Sequence, residues 1–301
     1  MDRLRGTWFV LPTPFHGDRT LDLDGQRSLV DAAISWGVHG LVAMGVTGEA
    51  VALTEAERAA ALAAVAETAA GRLPLVVGCS GGSVEVVVDL ARRAADAGAV
   101  AALVSAPPLH GDVETLPRFY EMAADRAPLP LVVQDEPAAT GVSIPTEVLV
   151  RCIDAAEART VKLEDPPTPP KIGAILAARP HLDVFGGLGG VSALEELRAG
   201  SGGTMTGFAF PEVLRAVRDA TEAGDAARAT AVFSRYLPLI RFEAQPGIGL
   251  AIRKELLRRR GAIRSAVTRR TAPLTEYVAR GLDSVVAEVG IEPALDPLTV
   301  E

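Results

Sequence analysis

A chain of 301 residues can bury a sizeable core, as one large domain or two smaller ones. Hydrophobic residues make up 49% of it and aromatics only 4%, the profile of a soluble α/β protein rich in Ala, Val and Leu. A formal net charge of −8 argues against general attraction to nucleic acid or to anionic membranes, so neither is expected as a partner.

In chain order, short β-branched apolar runs alternate with longer runs of helical period. The first strand candidate is "WFVLPTPF" (8–15) and the second "GLVAMG" (40–45). The helix candidate "TEAERAAALAAVAETAAG" (54–71) follows, opened by a capping box in which Thr54 precedes Glu57 by three residues. "PLVVGC" (74–79) leads into the helix candidate "SVEVVVDLARRAADAG" (83–98), closed by a C-terminal glycine. The remaining strands are "AALVSAPP" (101–108), "PLVVQDEP" (130–137), "RTVKLED" (159–165), "LDVFGG" (182–187) and "GTMTGFA" (203–209), which makes eight. Near-continuous apolar strands need cover on both faces, as in a parallel sheet wrapped by helices. Eight strand-helix repeats fit an α/β fold of the (β/α)8 TIM-barrel type over residues 1–224. No Gly-x-Gly-x-x-Gly follows the first strand, which counts against a dinucleotide fold.

Beyond residue 224 the pattern turns purely helical, near 225–242, 246–260 and 274–289, and predicts a C-terminal helical extension, 225–301, packed on the barrel. Its basic run "RKELLRRRGAIR" (253–264) has the period of a helix's solvated face, and the tail "IEPALDPLTVE" reads as irregular. Cys79 and Cys152 lack metal spacing and suggest no disulfide framework, so no metal is expected. With no signal pattern and no apolar run long enough to span a bilayer, a cytoplasmic location is expected.

Reactive groups of such barrels sit at the C-terminal ends of the strands. Those places offer Thr13, "GVTGEA" (45–50), "PPLHGD" (107–112), "QDEP" (134–137), Lys162 with Glu164, "GGLGG" (186–190) and "TMTG" (204–207). The chain has 27 arginines and three lysines, at 162, 171 and 254. Lys162 is the ordinarily nucleophilic amine in this set, a role arginine cannot fill. Desolvation in an apolar strand favours the neutral amine, which can attack a ketone and form an imine. Alternation points Val161 and Leu163 one way and Lys162 and Glu164 the other, into the barrel. An ion pair of Lys162 with Glu164 or Asp165 is the structural alternative. Lys171 falls in the following helix as a surface charge.

On "LPTPF" (11–15), the G-V-T-G-E turn, the strand-six lysine and the Gly-rich eighth strand, the chain resembles the dihydrodipicolinate synthase/N-acetylneuraminate lyase family. The resemblance covers nearly the whole chain. It implies a (β/α)8 barrel with a helical C-terminal segment, a homotetramer or homodimer, and lysine Schiff-base chemistry on 2-keto acids. Lys162 would then be the Schiff-base residue, with no other cofactor, and Val46, Thr47 and Gly48 would hold the keto-acid carboxylate. Turn N–H groups and a hydroxyl do form an anion cradle.

The departures are informative. Gln134 stands where the family's strand-five tyrosine relays protons, and Val46–Thr47 replaces the paired threonines. "PPLH" (107–110) replaces the tyrosine pair after strand four, and Ala138 and Ala139 replace the arginine that binds a dicarboxylate in the synthase. A dihydrodipicolinate synthase is therefore not expected. "PP-x-HG" (107–111), "VQD-x-P" (133–137), "K-x-E" (162–164), "GTMT" (203–206) and "YLPLIRFE" (236–243) are instead similar to the L-2-keto-3-deoxyarabonate dehydratase branch.

That branch implies dehydration of a 2-keto-3-deoxy sugar acid, with a base at C3 and an acid near the C4 oxygen. Glu164 is either the base or the counter-ion of Lys162, and Gln134 can position water or a hydroxyl but not shuttle protons. His110 could act as acid, bind a substrate hydroxyl, or be incidental. Asp135 reads as structural, and Glu49 as a ligand of backbone N–H groups. "GGLGG" permits close ligand approach, which makes Gly187 a candidate contact, or is simply a flexible turn. Two other readings stay open, an aldolase or retro-aldolase releasing or using pyruvate, and a barrel that binds a keto acid without catalysis.

Overall fold

The structure is a computed structural model that describes residues 3–107 and 112–300. Eight parallel strands close into a barrel in chain order. They are β1 (Gly6–Val10), β2 (Gly40–Ala43), β3 (Leu75–Gly78), β4 (Ala101–Ser105), β5 (Leu131–Asp135), β6 (Thr160–Leu163), β7 (Asp183–Gly186) and β8 (Gly203–Thr206). Closure is made by β8 on β1, with Gly6 opposite Gly203 and Phe9 opposite Thr206. The crossover helices are α1 (Leu23–Ser35), α2 (Glu55–Ala69), α3 (Val84–Asp96), α4 (Leu116–Arg126), the single turn α5 (Pro137–Thr140), α6 (Thr146–Ala155), α7 (Thr168–Ala178), α8 (Ala193–Arg198) and α9 (Pro211–Glu222). Then come α10 (Ala226–Glu243), α11 (Gly249–Arg259) and α12 (Glu276–Val289), with α10 packed on both α9 and α12. Residues 290–300 are irregular.

The strands are short, Val- and Leu-rich and buried on both sides, and their two faces feed different cores. Trp8, Val10, Val42, Val76, Leu103, Val132, Phe185 and Met205 fill the barrel interior. Their neighbours Phe9, Leu41, Val77, Ala102, Val133, Val161 and Val184 pack outward against the helices. This two-residue period is what orients the site, since each inward position on one strand fixes its register partners on the next. The predicted capping box is present: Thr54 accepts from the Glu57 N–H, and the Glu57 carboxylate accepts from the Thr54 N–H. Helix α3 buries Val84, Val87, Val88, Ala91 and Ala94, a stripe of helical period, and Gly98 follows with a left-handed φ of 79°.

Two expectations fail here for one reason. The basic run is a solvated face only in part: Arg258 and Arg264 are exposed, but Arg253, Lys254 and Arg260 are buried. Each of these three meets a carboxylate from another element: Glu243 at 2.7 Å, Glu49 at 2.6 Å and Glu212 at 2.6 Å, respectively. Lys171 is not an ordinary surface charge either. Its ammonium bridges Asp135 at 2.5 Å and Asp165 at 2.9 Å and donates to the Ile144 carbonyl at 2.7 Å. Helical period reports which way a side chain leaves its own helix, but not whether a distant carboxylate waits there. Among the described residues no helix is long and apolar enough to cross a membrane.

Candidate active site

Lys162 is the third residue of β6, in register with Gln134 on β5 and Phe185 on β7. Phe185 belongs to the interior core, so Lys162 and Gln134 face inward with it, and Ser105 on β4 continues the same layer opposite Gln134. Lys162 is 5% exposed, and its ammonium lies 3.0 Å from Oε2 of Glu164. Glu164 leaves the strand end with its N–H on the Asp135 carbonyl at 2.8 Å, and its Oε1 accepts the Leu188 N–H at 3.2 Å. Gly187 makes this possible, since a Cβ there would collide with the Glu164 side chain.

The Gln134 amide joins these groups. Its Nε2 donates to Glu164 Oε2 at 2.6 Å and to Glu136 Oε2 at 2.8 Å, while its Oε1 accepts the Ser105 hydroxyl at 3.1 Å. Two carboxylates thus share one amide. Burial pushes the Glu136 carboxyl up to about 7, the charge of Glu164 adds to the rise, and Lys162 and Arg270 oppose it.

Across the mouth lies the turn after β2. Thr13 Oγ1 donates to the Gly48 carbonyl at 2.6 Å, and the Glu49 N–H closes the turn on the Val46 carbonyl at 3.0 Å. Glu49, left-handed at φ 53°, turns its carboxylate away from the mouth. There it takes Lys254 at 2.6 Å and the backbone N–H groups of Arg269 and Arg270 at 2.6 and 2.8 Å. The expectation that Glu49 serves backbone N–H groups is met. Arg253 reaches the turn from α11, donating to Thr47 Oγ1 at 3.2 Å while Glu243 fixes its Nε at 2.7 Å.

Between the two sides is a cavity of 680 Å³ whose wall includes Val46, Thr47, Glu136, Lys162, Glu164, Arg253 and Arg270. Val46, Thr47, Lys162 and Glu164 are therefore brought together as the sequence predicts, with Gln134 bridging the carboxylates from behind. Gly48 and Gly187 stand off the wall, Gly48 in the turn and Gly187 against Glu164. His110 lies outside the described residues. Glu136, Arg253 and Arg270 escape the sequence reading. Glu136 had a signal, because residues 134 and 136 share a strand face, whereas Arg253 and Arg270 come from the distant C-terminal segment. Another cavity, of 610 Å³, opens beside the N-terminal ends of β1, β6 and β7 around Arg3, Arg159, His181 and Asp183, away from the lysine. Barrel chemistry is found at the opposite end, where Lys162 sits.

Comparison with family models matches residues 3–289 to the dihydrodipicolinate synthetase family. The chain belongs to that family. An L-2-keto-3-deoxyarabonate dehydratase of Azospirillum brasilense is 32% identical, over 99% of this chain and 96% of its own length. The 4-hydroxy-tetrahydrodipicolinate synthase 1 of Streptomyces coelicolor is 34% identical, over 82% of each chain. The crystal structure of dihydrodipicolinate synthase from Rhodopseudomonas palustris superposes with a TM-score of 0.89 at 30% identity, covering 95% of this chain and 97% of that one. As a member of the dihydrodipicolinate synthetase family, the protein is a lyase.

Proposed function

We propose that the protein is a Schiff-base-forming lyase that dehydrates a 2-keto-3-deoxy sugar acid. The observation that carries this reading is the Lys162 amine on the cavity wall, 3.0 Å from Glu164, with Gln134 occupying the strand-five position beside them. Lys162 condenses with the C2 ketone and expels water. The resulting iminium acidifies C3, so that a nearby carboxylate can take the proton, and the imine itself serves as the electron sink without a further cofactor. Glu164 is that base, positioned by Gln134 and by the Leu188 N–H. The substrate carboxylate lies on the Val46–Thr47–Gly48 turn, where Arg253 adds a fixed positive charge beside Thr47.

Relatives bearing dehydratase and synthase names match the chain at comparable identity, so residue chemistry has to discriminate between them. Aldol chemistry at C4 needs a group that cycles a proton on the C4 hydroxyl, and the glutamine in the strand-five position cannot do so near neutral pH, which leaves that oxygen to the carboxyls of the mouth. Dehydration needs carboxyl groups, and the mouth has two. Ala138 and Ala139 bring no cation for a second carboxylate at the start of α5.

Borohydride trapping with pyruvate and with a panel of 2-keto-3-deoxy sugar acids, read by intact mass, tests the reading. One adduct, lost in Lys162→Ala, is expected. No adduct with any keto acid would remove the Schiff-base assignment, and pyruvate plus an aldehyde as products would replace dehydration by cleavage.

A further inference from the structure

We propose that Glu136 is the acid that protonates the departing C4 hydroxyl of a 4-hydroxy-2-keto acid held on Lys162. The inference rests on the Schiff-base reading above and adds the group that reading leaves open. Expulsion of hydroxide from an enamine is eased by a proton donor at the C4 oxygen, and a second carboxyl can supply it independently of the group that has taken the C3 proton.

The geometry supplies such a pair. Glu164 and Glu136 both lie on the cavity wall, and both accept from Nε2 of Gln134, at 2.6 and 2.8 Å. Glu164 is at 3.0 Å from the Lys162 ammonium, whereas no ion pair holds Glu136 among the described residues. The groups facing Glu136 are Glu164 and Lys162 from β6 and its end, Gln134 from β5, and Arg270 from the segment after α11. With burial they set its carboxyl near 7, so a substantial fraction carries a proton at neutral pH, while Glu164 lies against the lysine. A protonated carboxyl beside a second, ion-paired one can divide acid from base duties.

The step balances. Glu164 takes a C3 proton as the iminium becomes an enamine. The enamine nitrogen then pushes electrons into a new C3=C4 bond, and the C4–O bond breaks. The oxygen leaves with the Glu136 proton as water, and the unsaturated iminium is hydrolysed from Lys162. The net change is loss of one water from the substrate, with no oxidant or reductant. Glu136 regains a proton, and Glu164 releases one, through solvent in the open cavity.

Glu136→Gln tests this by separating the steps. Expected are continued borohydride trapping of pyruvate on Lys162 and continued deuterium uptake into the pyruvate methyl group in D2O, a measure of C3 proton removal. Elimination from the panel of 2-keto-3-deoxy sugar acids should fall roughly 10²- to 10⁴-fold. In the unsubstituted protein kcat should decline as pH rises through about 7, as the acid is lost, and the variant's residual rate should lack that limb. Glu136→Asp should recover part of the rate. Elimination that survives Glu136→Gln with its pH limb intact overturns the donor assignment alone. Adducts without elimination from any member of the panel overturn the donor together with dehydration, and absence of any adduct overturns the Schiff-base reading itself.

Discussion

Two sets of buried charge meet around the barrel, and they manage desolvation in opposite ways. In the C-terminal helical segment every buried cation has its own carboxylate, Lys254 with Glu49, Arg260 with Glu212 and Arg253 with Glu243. Backbone N–H groups serve the same carboxylates. Arg269 and Arg270 N–H groups reach Glu49, the Leu298 N–H reaches Glu212, and the Ala209 N–H reaches Glu243. On the β5–β6 side, Glu136 and Glu164 share a single amide, and the one ammonium there, that of Lys162, pairs with Glu164. Satisfied pairs hold structure, while an excess of carboxylate over cation leaves a group free to exchange protons. Arg253 belongs to both sets, since it is locked by Glu243 yet faces the cavity.

The contrast breaks first at Lys162. Lys162→Ala should lower turnover by roughly 10⁴-fold, as loss of a covalent nucleophile does, and abolish the trapped adduct. Its melting temperature should shift by only a few degrees, because the open cavity lets water reach the two carboxylates left behind. Lys254→Met should do the reverse. Stranding Glu49 without its cation costs about 3–5 kcal/mol, read from the denaturant midpoint, and Glu49→Gln in the same chain should return much of it. A merely mild loss in Lys254→Met would mean the C-terminal pairs are not the rigid set described. For Arg253→Met, the pyruvate concentration that half-saturates imine formation should rise about tenfold, the worth of one charge-assisted contact. An unchanged value would place the arginine wholly in the structural set.

What the sequence makes legible in this molecule is local. The alternation around Val161, Lys162 and Leu163 is enough to turn the lysine inward, and the Thr54–Glu57 spacing is enough to start α2. The eight strands show because their apolar runs are bounded by Gly and Pro, signals that lie within each segment. The paired charges do not show, because Lys254 meets a carboxylate 205 residues away and Lys171 one 36 residues away. Without those partners a basic run reads as solvated and a helix lysine as a surface charge. Glu136 is the intermediate case. The strand alternation that brings Gln134 inward places it too, but its significance depends on Glu164, 28 positions later, reaching the same amide. The glycines show a similar limit, since the role of Gly187 is to leave room for a side chain rather than to touch a ligand.

The finest test concerns a carboxyl that belongs to neither set. Glu196 on α8 is buried, with Thr168 Oγ1 donating to its Oε1 at 2.5 Å and no ion-pair partner among the described residues. Burial pushes it up to about 7, as it does Glu136, yet Glu196 is off the cavity wall. Its folded value lies above its unfolded one, so the native state binds the extra proton. The resulting stability is full below about 4.5 and is lost as pH rises toward 7. Glu196→Gln cannot ionise, so its stability should decline less over that window than that of the unsubstituted protein, with turnover at pH 7 within about twofold. Denaturant midpoints at pH 5 and pH 7.5 measure the first, and an elimination assay the second. If Glu196→Gln instead removed the kcat limb near 7, that limb would belong to a structural carboxyl. Surplus charge at the mouth would then no longer distinguish the active side of the barrel from the rest.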